Sequence, residues 1–167
     1  MRPFEHFLFA MVPVGVYTWI RTGRPPTGYT VVLVLTGALL PDIIDKPLAW
    51  TFGVLPSGRM FAHSLVISGP ILVAGYLYAT RRGRGRDAAV FAVAYFSHLV
   101  GDFHPILRQG TDYYFFPNLF WPLLPANPDL DPSFGAHAPD MLTIAVSLTV
   151  FLVAGGYAML DIARRRL

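Results

Sequence analysis

The chain alternates between long apolar stretches and short polar segments. Five apolar stretches stand out, at residues 4–20, 26–44, 64–80, 88–102 and 141–160. A helix needs about 20 largely apolar residues, with a range of about 17–25, to cross the bilayer core, and four of the five stretches fit. The fourth is short and ends in His98 and Asp102, so we expect protein to shield its outer turn. The pattern predicts an all-α fold: a polytopic membrane helical bundle of about five transmembrane helices, with residues 1–167 as a single domain.

Composition agrees with this interpretation. Hydrophobic residues make up 54% of the 167 residues and charged residues only 14%, whereas soluble domains carry about 25% charged residues. The chain has no cysteine, which excludes disulfides, thiolate nucleophiles and cysteine-based zinc sites. Any metal site must therefore be built from His and carboxylate side chains.

Basic residues divide unevenly between the two sides of the predicted bundle. Because positively charged loops favour the cytoplasm, we expect a cytoplasmic C-terminus and an extracytoplasmic N-terminus in the cell (inner or plasma) membrane. The arginines then serve topology, so the net charge of +3 is only a weak indication of nucleic-acid binding. We expect membrane lipids as partners, and no nucleic acid. The sequence leaves the oligomeric state open. Nine of the 13 basic residues lie on the predicted cytoplasmic side: Arg21, Arg24, Arg81, Arg82, Arg84, Arg86, Arg164, Arg165 and Arg166.

A long extracytoplasmic loop, residues 103–139, is expected between the last two helices. Loops of this length in compact domains are usually functional or disordered, and the aromatic clusters of this one argue against disorder. Aromatic side chains favour the membrane–water interface. The cluster either anchors the loop there or admits a lipid or lipid-linked substrate. Its members are Tyr113, Tyr114, Phe115, Phe116, Phe120 and Trp121.

Candidate chemistry gathers at the outer ends of the predicted helices. His98 and Asp102 are four residues apart and Asp42 and Asp45 are three apart, so each pair shares one face of its helix. Imidazole nitrogens and carboxylate oxygens are suitable ligands for Zn²⁺, Mn²⁺ or Fe²⁺. Charged groups near lipid are costly, and by default they mark a functional site. The candidate metal ligands are His6, Asp42, Asp45, His63, His98 and Asp102.

The candidate residues of the first two helices could also have purely structural roles. His6 alone could be an interfacial histidine. Asp42 could terminate its helix, and Asp45 could pair with Lys46 or Arg59.

The later residues have structural alternatives as well. His98 and Asp102 could be a hydrogen-bonded pair, and His63 could precede a helix that Ser64 caps. His104 and His137 are best interpreted as ordinary loop residues. These structural interpretations would have to hold together for all six candidate residues on one face of the bundle, so a shared functional site is favoured.

Several short motifs together resemble the membrane-bound metal-dependent hydrolases, the YdjM-like inner-membrane hydrolases. The resemblance covers roughly residues 1–125 and includes Trp121-Pro122, similar to a Trp-Pro motif of that family. The chain departs from many relatives in continuing as Asp-Phe-His-Pro at 102–105. The matching segments are His6, Leu39-Leu40-Pro41-Asp42 with Asp45, His63-Ser64, and Ser97-His98-Leu99 with Asp102.

The ligand types and the resemblance predict an integral membrane metal-dependent hydrolase that acts on a phosphoester, its helical His/Asp site similar in kind to that of zinc-dependent phospholipases and single-strand nucleases. Asp45 and Asp102 are the candidate catalytic residues, and Asp45 could act as general base or orient an imidazole. The expected cofactor is a divalent metal, zinc first, with manganese or iron as alternatives. Two other classes stay open: a non-catalytic membrane protein with a structural metal site, and an ion-coupled transporter with helices broken near Pro13 and Pro70.

Overall fold

The computed structural model describes residues 2–102, 115–125, 133, 135 and 138–166. These residues form six helices and no strand, so the predicted all-α class is confirmed for the described part of the chain. The helices are α1 (Pro3–Thr22), α2 (Gly28–Trp50), α3 (Leu65–Arg81), α4 (Gly85–Gly101), α5 (Phe115–Leu119) and α6 (Met141–Arg164).

Three of the helices begin with a side-chain cap. The side chains of Thr27, Ser64 and Asp140 precede α2, α3 and α6, and each accepts a hydrogen bond of 2.8–3.1 Å from a backbone N–H two or three residues later. Such caps satisfy N–H groups that have no partner inside the helix. The interpretation of Ser64 as the cap of a helix is therefore confirmed.

The second helix is longer than the hydrophobic pattern indicated. The apolar stretch ended at residue 44, whereas α2 continues to Trp50 through Pro41 and Pro47. Each proline removes only one backbone hydrogen bond, and the helix continues past both. Asp42 and Asp45 consequently lie within α2, and the helix continues on both sides of them.

Prolines do not break the other helices either. Pro13 lies inside α1 and Pro70 inside α3, and both helices are continuous in the structure. The interrupted helices on which the transporter alternative depended are absent at these two positions.

One face of each inner helix carries both the apolar core and the polar residues. The core residues of α1 and α2 recur at intervals of three and four, which is the spacing of one helical face. On α2 the same buried face continues from Val34 and Ala38 to Asp42 and Asp45. Helical periodicity thus directs these carboxylates into the bundle. The buried core consists of Phe7, Ala10, Val14, Val31, Val34, Ala38, Ala94 and Ala158.

A glycine allows α2 to lie close against α4. A Cβ atom at Gly37 would come within 2.7 Å of the carbonyl oxygen of Phe91 and 3.0 Å of the Cβ of Ala94. Small residues at helix interfaces permit this close backbone approach. The contact brings the carbonyl of Ala38, the next residue, to the inner side of α4.

Among the described helices, only α6 is long and apolar enough to cross a membrane by length and composition. The helix α3 is apolar but has only 17 residues. The prediction of about five crossings is therefore not confirmed by this criterion. The helix α4 also has only 17 residues, and α1 and α2 carry ionisable residues of the site.

The predicted long loop is described only in part. Its residues 115–125 include α5 and a turn that carries Phe120 and Trp121. Tyr113, Tyr114, His104 and His137 lie outside the described residues, so their predicted roles stay predictions.

Candidate metal centre

The six residues singled out from the sequence lie together at one end of the bundle. This end contains the start of α1, the last turns of α2, the segment before α3 and the end of α4. The expected shielding of the outer turn of α4 is confirmed, because His98 is 0% and Asp102 4% exposed. All six residues are buried or nearly so: His6, Asp42, Asp45, His63, His98 and Asp102.

His98 is oriented by the backbone of α2. Its Nδ1 lies 2.6 Å from the carbonyl oxygen of Ala38. A carbonyl only accepts hydrogen bonds, so Nδ1 is the protonated nitrogen and Nε2 is left to face the cluster. This arrangement, in which one nitrogen is fixed by a hydrogen bond and the other points to the site, is typical of metal-binding histidines.

His63 is oriented in the same way by Asp45. The Nδ1 of His63 lies 2.8 Å from Oδ2 of Asp45, and Nε2 of His63 faces the cluster. The carboxylate of Asp45 is 0% exposed and comes from α2, so it ties the segment before α3 to the bundle.

Asp45 also accepts hydrogen bonds from three backbone N–H groups. The amides of Met60, Ala62 and His63 donate to it at 2.8, 2.7 and 3.1 Å. A carboxylate has about four acceptor positions. With the His63 imidazole, Oδ2 of Asp45 accepts three bonds and Oδ1 accepts one. The geometry therefore favours the orienting role for Asp45 and speaks against its roles as metal ligand and general base.

The two oriented imidazoles point at each other. Nε2 of His63 lies 3.0 Å from Nε2 of His98. Because both Nδ1 atoms are donors, two lone pairs would meet here unless a proton or a metal ion lies between them. Burial lowers the pKa of His63, but the surrounding carboxylates of Asp102, Asp42 and Asp45 outweigh it and raise that pKa to about 10. The surrounding carboxylates thus favour positive charge at this point.

Two carboxylates complete the inner set. Nε2 of His63 lies 3.6 Å from Oδ1 of Asp42 and 3.5 Å from Oδ2 of Asp102. Nε2 of His98 lies 3.8 Å from each of the same two oxygens. Ligands about 2.0–2.2 Å from a metal ion and 90–120° apart are about 2.8–3.8 Å from each other, so all these distances suit adjacent ligands of one ion.

His6 packs on the opposite side of His98. The two rings are stacked with their centroids 3.8 Å apart, and Nε2 of His6 lies 3.4 Å from Oδ1 of Asp102. The Nδ1 atom of His6 is buried and has no hydrogen-bond partner among the described residues. A buried polar atom of this kind usually indicates a missing ligand, ion or water.

The donor set fits a metal ion. Two overlapping groups can hold one, His6 with His98 and Asp102, and Asp42 with His63 and His98. His98 belongs to both but offers only Nε2, so the groups cannot each bind a separate ion through it. The identity of the metal is open, since imidazole and carboxylate ligands suit zinc, manganese and iron alike.

Lys46 and Arg59 lie at the outer side of the cluster and contact Asp42 and Asp102, not Asp45. Lys46 donates to Oδ2 of Asp42 at 2.6 Å, and Nε of Arg59 lies 3.3 Å from Oδ2 of Asp102. The alternative that Asp45 pairs with Lys46 or Arg59 is therefore wrong, because backbone amides and His63 occupy Asp45 instead. The spacing of Asp42 and Lys46, four residues apart on α2, was the signal for one of these pairs.

Further contacts hold the segment before α3 in place. The hydroxyl of Tyr95, one turn before His98, donates to the carbonyl of Ala62 at 2.5 Å. The hydroxyl of Ser64 donates to the carbonyl of Trp121. Tyr95 could have been noticed from its place on the His98 face of α4. The Trp121-Pro122 motif marked Trp121 but did not indicate its contact with Ser64.

These features define a class: a helical protein with a buried His/Asp cluster, able to hold a metal ion, at one end of its bundle. The sequence profile of the YdjM inner membrane protein family matches residues 1–164. The chain belongs to the YdjM inner membrane protein family. No curated protein and no solved structure matches the chain significantly.

Proposed function

We propose that this protein is an integral membrane metal-dependent hydrolase that cleaves a phosphoester of a lipid or lipid-linked substrate at the extracytoplasmic face. One observation carries the proposal. The Nε2 atoms of His63 and His98 lie 3.0 Å apart and within 3.5–3.8 Å of oxygens of Asp42 and Asp102. The Nδ1 atom of each imidazole is hydrogen-bonded, to Asp45 or to the carbonyl of Ala38. Such bonds orient metal-binding histidines.

The residues divide into distinct roles. His63, His98, Asp42 and Asp102 would hold the ion, and Asp45 orients His63. When bound, a divalent metal polarises a phosphoryl oxygen and makes water acidic enough to attack at neutral pH. His6 contacts Asp102 from the other side, where its imidazole can hold or accept a proton during turnover.

The surroundings of the site support a lipid substrate. An apolar groove of about 780 Å³ runs between α2, α3 and α4 and includes Phe61 and Ala62, the residues just before His63. The turn that carries Phe120 and Trp121 contacts the same segment through Ser64. A chain lying in this groove would have its polar end beside the metal centre.

We further propose that α1, α2, α3 and α4 cross the membrane together with α6. Large apolar side chains are exposed along α1, α3 and α4, among them Val12, Ile20, Ile71, Val73 and Phe96. Soluble monomers rarely expose such extensive apolar surface, and lipid would cover it. The His and Asp residues of the cluster on α2 and α4 are buried inside the bundle and do not oppose the crossing.

Reporter fusions test this topology. A fusion after residue 167 is expected to report the cytoplasm and a fusion within residues 126–138 the opposite side, because nine of the 13 basic residues lie toward the C-terminal face and such residues remain in the cytoplasm. A third fusion after Arg24 should agree with the C-terminal one. Identical locations for the loop and the C-terminus would contradict the proposed arrangement.

Hydrolysis is tested with purified protein in detergent and in bilayers. Zinc-loaded protein is expected to cleave a phosphorylated lipid, to lose activity with a chelator and to regain it when zinc is restored. Asp102→Asn is expected to lower turnover by about 100-fold or more, since it removes a charge from the ion and from His6. Asp87→Asn, a carboxylate paired with Arg84 at the other end of α4, serves as the matched control.

The outcomes separate the proposed function from its rivals. Hydrolysis confined to short soluble phosphoesters would refute the lipid substrate but keep the reaction. Stoichiometric zinc without hydrolysis of any phosphoester would favour a structural metal site. Activity that is unchanged by chelation, or by Asp102→Asn in a protein that still folds, would refute the metal-dependent mechanism.

A further inference from the structure

Asp42 and Asp102, the two carboxylates that face both Nε2 atoms, each pair with a cation that reaches solvent. Asp42 directs Oδ1 toward the histidines and Oδ2 toward Lys46, whose ammonium is 2.6 Å away. Arg59 contacts Asp102 from the loop between α2 and α3. The side chains of Lys46 and Arg59 are 24% and 42% exposed, whereas those of Asp42 and Asp102 are 11% and 4% exposed. The cations therefore mark the open side of the buried cluster.

Contacts within their own segments hold the ammonium of Lys46 and the backbone of Arg59 in position. The ammonium of Lys46 lies 5.6 Å from the ring centroid of Trp50 on the same helix, a cation–π distance. The backbone N–H of Arg59 donates to the hydroxyl of Ser57 at 3.2 Å. Lys46 is also the only lysine of the chain. Cations with such fixed positions lose less conformational entropy when they bind a ligand.

Charge balance indicates what these cations do once a metal is present. A divalent ion with Lys46 and Arg59 brings four positive charges to three carboxylates, so the mouth of the site becomes positive. Guanidinium groups match the geometry of phosphate oxygens, and lysine supplies a compact charge. An anion that contacts both the cations and the ion would complete the balance.

We propose that Lys46 and Arg59 bind the phosphoryl oxygens of the substrate at the mouth of the metal centre. The proposal rests on the metal-dependent function proposed above. It makes the two cations substrate-binding residues and selects a phosphate group over neutral esters or amides as the group presented to the metal.

Binding of inorganic phosphate to the full-length, zinc-loaded protein in detergent tests this assignment by calorimetry. Arg59→Gln and Lys46→Gln are each expected to weaken phosphate binding about tenfold or more, since each removes a charge-assisted hydrogen bond. Arg59→Lys is expected to weaken it as well, because the planar fork is lost while the charge stays. Zinc stoichiometry, measured on the same samples, is expected to be unchanged.

Arg2→Gln provides the matched control. Arg2 lies at the start of α1 and pairs at 3.6 Å with Asp140, an exposed carboxylate outside the cluster, so phosphate affinity should equal that of the wild type. Wild-type phosphate affinity in both Arg59→Gln and Lys46→Gln, with zinc retained, would overturn the assignment and leave the metal site intact. Loss of zinc from Arg59→Lys would also overturn it, because Arg59 would then be needed only to hold Asp102. Failure of the wild type to bind zinc would instead refute the proposed function.

Discussion

Replacement of His98 by alanine is expected to abolish tight metal binding. His98 is shared by both groups of residues that can hold an ion, and its Nε2 lies within 3.8 Å of three other ligand atoms. Residues that only orient a ligand contribute about 10–100-fold to metal affinity, so loss of the ligand itself should exceed 100-fold. Metal analysis of purified, zinc-loaded protein after dialysis measures the effect.

His137→Ala is the matched control for that experiment, because the sequence indicates that His137 is an ordinary loop residue. It should retain the zinc content of the wild type. His63→Ala provides a second test, since it removes the other oriented nitrogen from a segment outside the helices. Retention of zinc by both His98→Ala and His63→Ala would rule out this centre as the metal site.

Loss of the Asp45 carboxylate is expected to destabilise the protein even without metal. Asp45→Ala leaves three buried backbone N–H groups and the imidazole of His63 without their acceptor. Removing one partner from a buried charged network costs about 3–5 kcal/mol. Asp45→Asn should lower the free energy of unfolding by less, about 1–3 kcal/mol, because its NH₂ group can no longer accept but its oxygen still can.

Thermal or denaturant unfolding of the metal-free protein in detergent measures these differences. The control is Asp87→Asn, which breaks an exposed pair with Arg84 and should change the free energy of unfolding by less than about 1 kcal/mol. If Asp45→Ala unfolds like the wild type without metal but no longer binds zinc, Asp45 is a ligand and the orienting role is wrong.

The order of residues along the chain is enough to locate the polar residues of the site. The hydrophobic pattern places His6, Asp42, His98 and Asp102 near the ends of helices that alternate in direction, so they have to meet at one end of a bundle. The intervals of three and four residues place Asp45 on the same helix face as Asp42, and Asp102 on the same face as His98. Both inferences depend only on the period of a helix and on the order of the segments.

The true end of α2 was missed for a related reason. The apolar pattern stops at residue 44, yet the helix continues to Trp50. Hydrophobicity marks the part of a helix that contacts an apolar environment. In α2, Asp45 and Lys46 interrupt the apolar pattern before the last turn, so the pattern underestimated the length of the helix.

The division of roles within the cluster was decided by contacts between distant segments. Asp42 and Asp45 are equivalent by type and spacing, but only Asp45 lies against the amides of residues 60–63, and only Asp42 faces Lys46 and the Nε2 atoms. The Ala38 carbonyl that orients His98 is 60 residues away from it. Spacing along a helix is a local property that residue order reveals, whereas these partners are set by how close α2 approaches α4 and how the segment before α3 folds back. Only the packed structure therefore distinguishes an orienting carboxylate from one that is free to bind a metal.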